Sequence, residues 1–166
     1  MEILQVNNQE GLDQIKTLFR EYFLWLEEVH DLYVSYQGIE DEIATLPGAY
    51  ATPSGRLLLA YEKGEAAGCG ALSPLDKNNC ELKRMYIRFA YRGKGLGRAI
   101  ALRLIDEAKQ AGYKYVLLDT GSFMYAAQAL YRSLGFKETE SYSEVPEDIK
   151  SRTVFMKLEL KSQTTG

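Results

Sequence analysis

Apolar positions follow two different rhythms along the chain. From Leu12 to Glu27 the positions Leu12, Ile15, Leu18, Phe19, Tyr22, Phe23 and Leu26 recur at steps of three and four, the spacing of one helix face. A strand over Met1–Val6 precedes this helix. A shorter helix is predicted over Glu40–Thr45, stopping before Pro47 because the residue before a proline is pushed out of helical backbone. The rhythm then turns to short strands. Arg56–Tyr61 and Ala67–Leu72 read as a hairpin around the turn Glu62-Lys63-Gly64-Glu65, and Cys80–Ile87 follows a second turn at Asp76-Lys77-Asn78-Asn79. After a glycine-rich loop over Arg92–Gly97, helical spacing returns in Arg98–Gln110, and Gly112 stops it. Tyr115–Leu118 is a short apolar strand. Phe123–Leu134 is a helix ended by Gly135, and Thr153–Leu160 is the last strand. Strand, helices, meander, helix, strand, helix, strand is the order of an α+β (mixed α/β) domain with helices packed on a central sheet.

With 166 residues the chain is expected to form one domain over residues 1–161, followed by a frayed polar tail at 162–166. Hydrophobic residues are 46% and charged residues 26%, which excludes disorder over most of the length. No apolar run reaches the roughly 20 residues of a membrane span, and the N-terminus lacks the pattern of a signal peptide, so the expected location is cytoplasmic, without a membrane partner. The net charge of −3 argues against nucleic acid as the main partner. Cys69, Cys80 and His30 lack the spacing of a zinc site, so no metal is expected. A catalytic triad or dyad would have to use His30, and nothing near it resembles a nucleophile elbow.

The segment Arg92-Gly93-Lys94-Gly95-Leu96-Gly97-Arg98 carries the most chemistry. It leaves a strand and opens a helix, whose first amides are free and whose end carries partial positive charge. Alternating glycines leave those amides unshielded, and Arg92, Lys94 and Arg98 add cations. Phosphate or pyrophosphate is the ligand that this arrangement suits. It is neither a Walker loop, since no Lys-Ser or Lys-Thr ends it, nor a dinucleotide fingerprint, since the third glycine comes one position early.

Arg92-x-x-Gly95-x-Gly97 resembles the acyl-CoA signature of the GNAT family of N-acetyltransferases. Ala127-x-x-Leu130-Tyr131-x-x-Leu134-Gly135-Phe136 is similar to the family's other motif, and one helix and one strand separate the two. The resemblance is specific from Cys80 to Phe136 and looser elsewhere. The Cys80–Ile87 strand looks like that of a bacterial small-molecule-type branch. The resemblance implies a mostly antiparallel twisted sheet flanked by helices, with acetyl-CoA as cofactor and a primary amine as acceptor. It implies that Arg92, Gly93, Lys94, Gly95, Leu96, Gly97 and Arg98 hold the cofactor's phosphates. The backbone of Met85, Tyr86 and Ile87 would pair with the pantetheine arm, and the Met85 amide would face the acetyl oxygen. Tyr131 would be the acid at the sulfur; its other reading is a core tyrosine. Glu81, eleven positions before Arg92, matches the catalytic glutamate of histone-type members and is the candidate base. Otherwise it is a solvated glutamate paired with Lys83 or Arg84. Met124 departs from the pattern, standing where many members carry an asparagine that contacts pantetheine.

The alternation along Glu81–Ile87 leaves neither face cleanly apolar, as a bulge, a ligand-lined strand or an exposed strand would. Arg84 projects from it, and either clamps an acceptor carboxylate, as in an amino acid, or pairs with a nearby Glu. The segment Tyr33–Glu42, with Tyr36 and Glu40, either cradles an ammonium group or is an exposed helix cap. The acidic stretch Glu138–Asp148 reads as a solvated loop. A small-molecule amine, amino-acid or polyamine-like, is the expected substrate. The alternatives are a protein N-terminus or lysine as acceptor, a catalytically silent CoA-binding or regulatory module, and a nucleotide-phosphate binder. A homodimer is a family-level expectation only.

Overall fold

Asn8 opens the first helix. Its side-chain oxygen accepts the Gly11 N–H at 2.8 Å, satisfying one of the helix's otherwise orphaned donors, and its carbonyl accepts the Leu12 N–H at 3.1 Å as the first intrahelical bond. Helix α1 therefore spans Gln9–His30, three residues longer at each end than its apolar stripe indicates. The computed structural model describes residues 1–30 and 36–161; the side chains at 29, 30, 36 and 37 lie outside that description. The expected role of Tyr36 and the setting aside of His30 rest on those side chains, and the Tyr33–Glu42 segment falls partly within residues 31–35.

Strand β1 (Glu2–Gln5) precedes α1, and α2 (Tyr36–Ala44) follows it. The meander is β2 (Arg56–Glu62), β3 (Glu65–Pro74) and β4 (Asn79–Ile87). The second half is α3 (Leu96–Gln110), β5 (Tyr115–Gly121), α4 (Tyr125–Ser133), β6 (Lys137–Thr139), α5 (Glu147–Lys150) and β7 (Thr153–Glu159). Helix α2 begins four residues before the expected Glu40. Helix α3 begins two residues before the expected Arg98, because Gly95 itself is the N-cap. Helix α4 begins two residues after the expected Phe123, because residues 121–124 form a turn closed by the Met124 N–H on the Gly121 carbonyl at 2.9 Å. Strand β6 and helix α5 carry too little periodicity to be read from sequence.

The strands form one sheet in the order β1-β2-β3-β4-β5-β7-β6. Neighbours are antiparallel except β4 and β5, which are parallel. Each face carries a buried layer. Ile15, Leu18 and Phe19 of α1 and Ile43 of α2 pack on one face with Leu57 and Leu59. Ile100 and Leu104 of α3 and Tyr131 of α4 pack on the other with Leu58, Leu118 and Met156. Fully burying one such large side chain is worth about 1.5–3 kcal/mol, so both helical layers are firmly tied to the sheet.

The pairing of β4 with β5 covers only Asn79↔Tyr115, Cys80↔Val116 and Glu81↔Leu117. Beyond that point β4 continues to Ile87 against β3, and β5 continues to Gly121 against β7. The two strands splay, leaving backbone donors and acceptors on facing edges without a strand partner. Buried backbone polar groups are almost always paired, so an opening of this kind is where an extended ligand can dock.

Candidate active site

The glycine loop sits at the mouth of the splay. Gly93 and Gly95 have φ of 78° and 82°, a left-handed backbone that favours glycine. A Cβ at either would meet nothing within 4 Å, so the angle and not crowding demands glycine there. Gly97 differs: its φ is not in that region, and a Cβ would meet Ile87 and Leu130 at an ordinary 3.8 Å. Gly95 caps α3 without any side-chain hydrogen bond, and its carbonyl accepts the Ala99 N–H at 3.1 Å. The amides of Leu96, Gly97 and Arg98 are thus the helix's orphan donors.

The three cations lie around them in different ways. Arg98 donates to Ser133 Oγ at 3.0 Å. Lys94 Nζ lies 5.8 Å from the Tyr91 ring centre. Arg92 is folded back toward β4: its Nε donates to the Ile87 carbonyl at 2.8 Å and its guanidinium lies 4.8 Å over Trp25.

Strand β4 carries a bulge. The register passes from Cys69↔Tyr86 to Ala71↔Lys83, so Arg84 and Met85 together oppose Gly70. Arg84 has φ of 60°. The extra residue reverses the strand's parity. Met85 and Ile87 pack on the α3 face, and Tyr86 packs on the α1 face. That reversal is why neither face of the strand reads as apolar in sequence. Met85 packs so closely over β3 that a Cβ at Gly70 would come within 2.7 Å of its sulfur.

Side chains from four separate segments meet on the α1/α2 side of the splay. Tyr142, in the loop after β6, donates its hydroxyl to Glu81 Oε2 at 2.6 Å, and Lys83 Nζ lies 3.8 Å from Glu81 Oε1. Tyr142 packs edge-on against Phe155 of β7. Burial and the Glu81 carboxylate push its hydroxyl well above the usual tyrosine range, so it stays a donor. The Asp119 carboxyl, two residues past the last β4–β5 pair, has no hydrogen bond or ion pair among the described residues. The residue is exposed at the opening, yet partial desolvation of its carboxyl first and the Glu81 charge second raise it above the usual range, against the Lys83 and Arg84 charges. A cavity of about 170 Å³ opens nearby, lined among others by Glu42, Tyr50, Ser73 and Lys83.

Arg84 is engaged by Glu42 of α2 through both Nε and Nη2, each at 2.9 Å. Tyr50 donates to the same carboxylate at 2.9 Å. Burial works against the Glu42 charge, but the Arg84 and Tyr50 hydrogen bonds outweigh it and hold the carboxyl below its ordinary value. Glu40 lies apart, 3.5 Å from Arg20.

The Tyr131 ring is buried, edge-on to Phe136. Burial pushes its hydroxyl up, so it remains protonated at neutral pH. That hydroxyl has no hydrogen-bond partner among the described residues, yet no side-chain oxygen among them is both enclosed and unpartnered, so it still meets open space. Met124 packs toward the α1 layer, and its sulfur accepts from Thr120 Oγ1 at 3.3 Å. Four residues on, the Gln128 amide donates to the Gly121 and Ser122 carbonyls and holds the β5–α4 turn.

Sequence reasoning passed over Asp119, Tyr142 and Tyr50. Asp119 had one legible signal, a charge interrupting the apolar run of its strand. Tyr142 had none, since its role depends on a loop folding back over β5. Among the described residues no group of three His, Cys, Asp or Glu comes together as a metal site, and no helix is long and apolar enough to cross a membrane.

The cradle fits a CoA pyrophosphate: three free amides, two glycines without crowding and three cations at one end of the splay. Comparisons with known proteins give the family. The acetyltransferase (GNAT) family model matches residues 12–136. An uncharacterized N-acetyltransferase of Schizosaccharomyces pombe is 35% identical over 162 residues, covering 96% of this chain and 95% of that protein. Among solved structures, a GNAT-family acetyltransferase of Staphylococcus aureus shares the fold with a TM-score of 0.78 at 20% identity, over 96% of this chain and 99% of that one. A Salmonella typhimurium structure that holds its cofactor acetyl-CoA superposes with a TM-score of 0.74 at 22% identity, over 99% and 96% of the two chains. The chain thus belongs to the GNAT family and is an acyl-CoA-dependent N-acetyltransferase.

Proposed function

We propose that the acceptor is the primary amine of a small cationic molecule, polyamine-like, acetylated by direct attack in a ternary complex. The observation that carries this reading is the pair of carboxylates, Glu81 and Asp119, on the acceptor side of the splay, with Arg84 already tied to Glu42. An amino-acid acceptor would call for a free guanidinium to hold its carboxylate, and Arg84 does not offer one. Two carboxylates instead attract an ammonium group and accept its proton.

The chain's own residues divide the work. The amides of Leu96, Gly97 and Arg98, with Arg92, Lys94 and the Arg98 side chain, hold the cofactor's phosphates. Met85, Tyr86 and Ile87 offer backbone to its pantetheine arm. When bound, acetyl-CoA supplies the activated acetyl thioester. Glu81 takes the amine's proton, directly or through a water, because an alkyl ammonium with a pKa near about 10.4 is not a nucleophile. Tyr142 fixes one oxygen of Glu81 and leaves its carboxylate oriented. The Met85 amide donates to the acyl oxygen as negative charge develops. Tyr131 keeps its proton available for the departing thiolate.

The test is thiol release from acetyl-CoA across a panel of polyamines, amino acids and a peptide with a free N-terminus. Preference for polyamines, with kcat lost in Glu81→Gln and Tyr131→Phe at unchanged acetyl-CoA affinity, supports the reading. Turnover confined to the peptide, or to amino acids, overturns it.

A further inference from the structure

The β4 bulge poses a question that its neighbours answer. Arg84 is a non-glycine residue at φ of 60°, a backbone region where an L side chain is disfavoured. Among the described residues the other non-glycine at positive φ is Lys63, in the hairpin turn before Gly64, where such angles are routine. Arg84 instead lies inside a strand. Something must hold it there.

Three elements do so. Glu42 of α2 grips the guanidinium with two hydrogen bonds of 2.9 Å, and Tyr50 completes the Glu42 carboxylate. Phe23 of α1 lies 4.9 Å beneath the guanidinium. From β3, the Cys69 thiol reaches the Arg84 carbonyl at 3.3 Å. The side chain is thus pulled onto the α1/α2 face, and the next residue, Met85, is turned onto the opposite one. Were Arg84 to relax to ordinary strand geometry, parity would revert, and the Met85 backbone would rotate with it.

We propose that Glu42 and Arg84 form a positioning latch that holds the β4 bulge, keeps the Met85 amide directed to the acyl oxygen, and ties helix α2 to the acyl-binding strand. The proposal rests on the reading of Met85 given above. Arg84 here is a positioning residue that touches neither substrate. Because α2 and the strand are joined through this pair, anything that orders α2 also steadies the bulge, and by linkage acyl-CoA binding steadies α2.

Glycine adopts φ of 60° without cost, which separates the latch from mere stability. In the full chain, Glu42→Gln/Arg84→Ala removes the latch and leaves an alanine free to relax. Glu42→Gln/Arg84→Gly removes the same charges but lets the bulge persist. The expected result is a kcat lower by on the order of 100-fold in the alanine variant, as for a small misplacement of a reacting group. The glycine variant recovers at least about tenfold of that loss. Amide hydrogen exchange at Met85, read without any substrate, is expected to quicken in the alanine variant and to return toward the parent rate in the glycine variant.

Equal kcat for the alanine variant and the parent, with only a lower melting temperature, would overturn the latch. So would glycine and alanine variants that do not differ in Met85 exchange. A loss confined to KM for the acceptor would make Arg84 a substrate contact. If Met85 exchange follows the expected order but no acyl transfer depends on it, the latch stands and the role given to Met85 fails.

Discussion

At the N-terminus of α3 the groups offered to a ligand are backbone amides of three consecutive residues. On the α1/α2 side of the splay, where we propose the acceptor binds, they are side chains of Glu81, Asp119 and Tyr142, drawn from β4, β5 and a loop. The first site needs a local run of sequence with glycine at two angles. The second needs the whole sheet to be assembled before any of its parts meet. The cofactor end is therefore expected to answer to backbone changes and the acceptor end to changes of charge.

The sharpest way to break this contrast is Glu81→Gln. We expect kcat to fall by roughly 10²–10⁴-fold with acetyl-CoA affinity unchanged, measured by steady-state kinetics and calorimetry. An equal loss of cofactor affinity would mean that the two ends are not separable.

On the cofactor side, Gly95→Val places an L side chain at φ of 82°. A cost of about 1–2 kcal/mol corresponds to roughly a tenfold rise in the acetyl-CoA Kd. Gly97→Ala, with ordinary φ and 3.8 Å contacts, should change it by less than about twofold on the same scale. If both behave alike, the glycines serve packing rather than backbone angle.

Stability separates the ends less strongly. Glu107 anchors α3 to β2 through Arg56 at 2.7 Å and takes Arg103 at 3.0 Å. These partners hold its carboxyl below 4.5, as Arg84 does for Glu42. Stabilisation from a depressed carboxyl is complete above the unfolded value and is lost as pH falls through the folded one. Glu107→Gln should therefore cost about 1 kcal/mol at pH 7 and flatten the decline of stability below pH 4.5, followed by denaturant melts across pH. An unchanged acid slope would show that these pairs are incidental.

The smallest effect concerns Asp119. Glu81→Gln removes the lesser of the two causes that raise its carboxyl. The pKa should fall toward the ordinary aspartate value, because desolvation alone is then left to oppose the Lys83 and Arg84 charges. A carboxyl-carbon NMR titration reads this directly, and no movement would place the two carboxylates out of electrical reach.

How much was legible follows the same division. The helices, the meander and the glycine loop were readable because period, turn residues and caps lie within a few positions of one another. Element ends shifted where a cap acted, as at Asn8 and Gly95. The bulge at Arg84 left a trace, a strand whose alternation fails, but its partner Glu42 lies forty-two residues away. Tyr142 sits in a stretch that reads as a solvated loop, and only its return over β5 brings it to Glu81.

By itself, then, the sequence determined the α+β order of elements, the glycine-rich helix terminus with its cations and the GNAT resemblance, since each depends on short-range backbone chemistry and periodicity. Tertiary structure alone decided that Arg84 is held by Glu42 rather than left free, that Glu81 is gripped by Tyr142, and that Asp119 shares its opening. Those facts depend on which face of the sheet each side chain occupies, and one inserted residue in β4 is enough to exchange the faces.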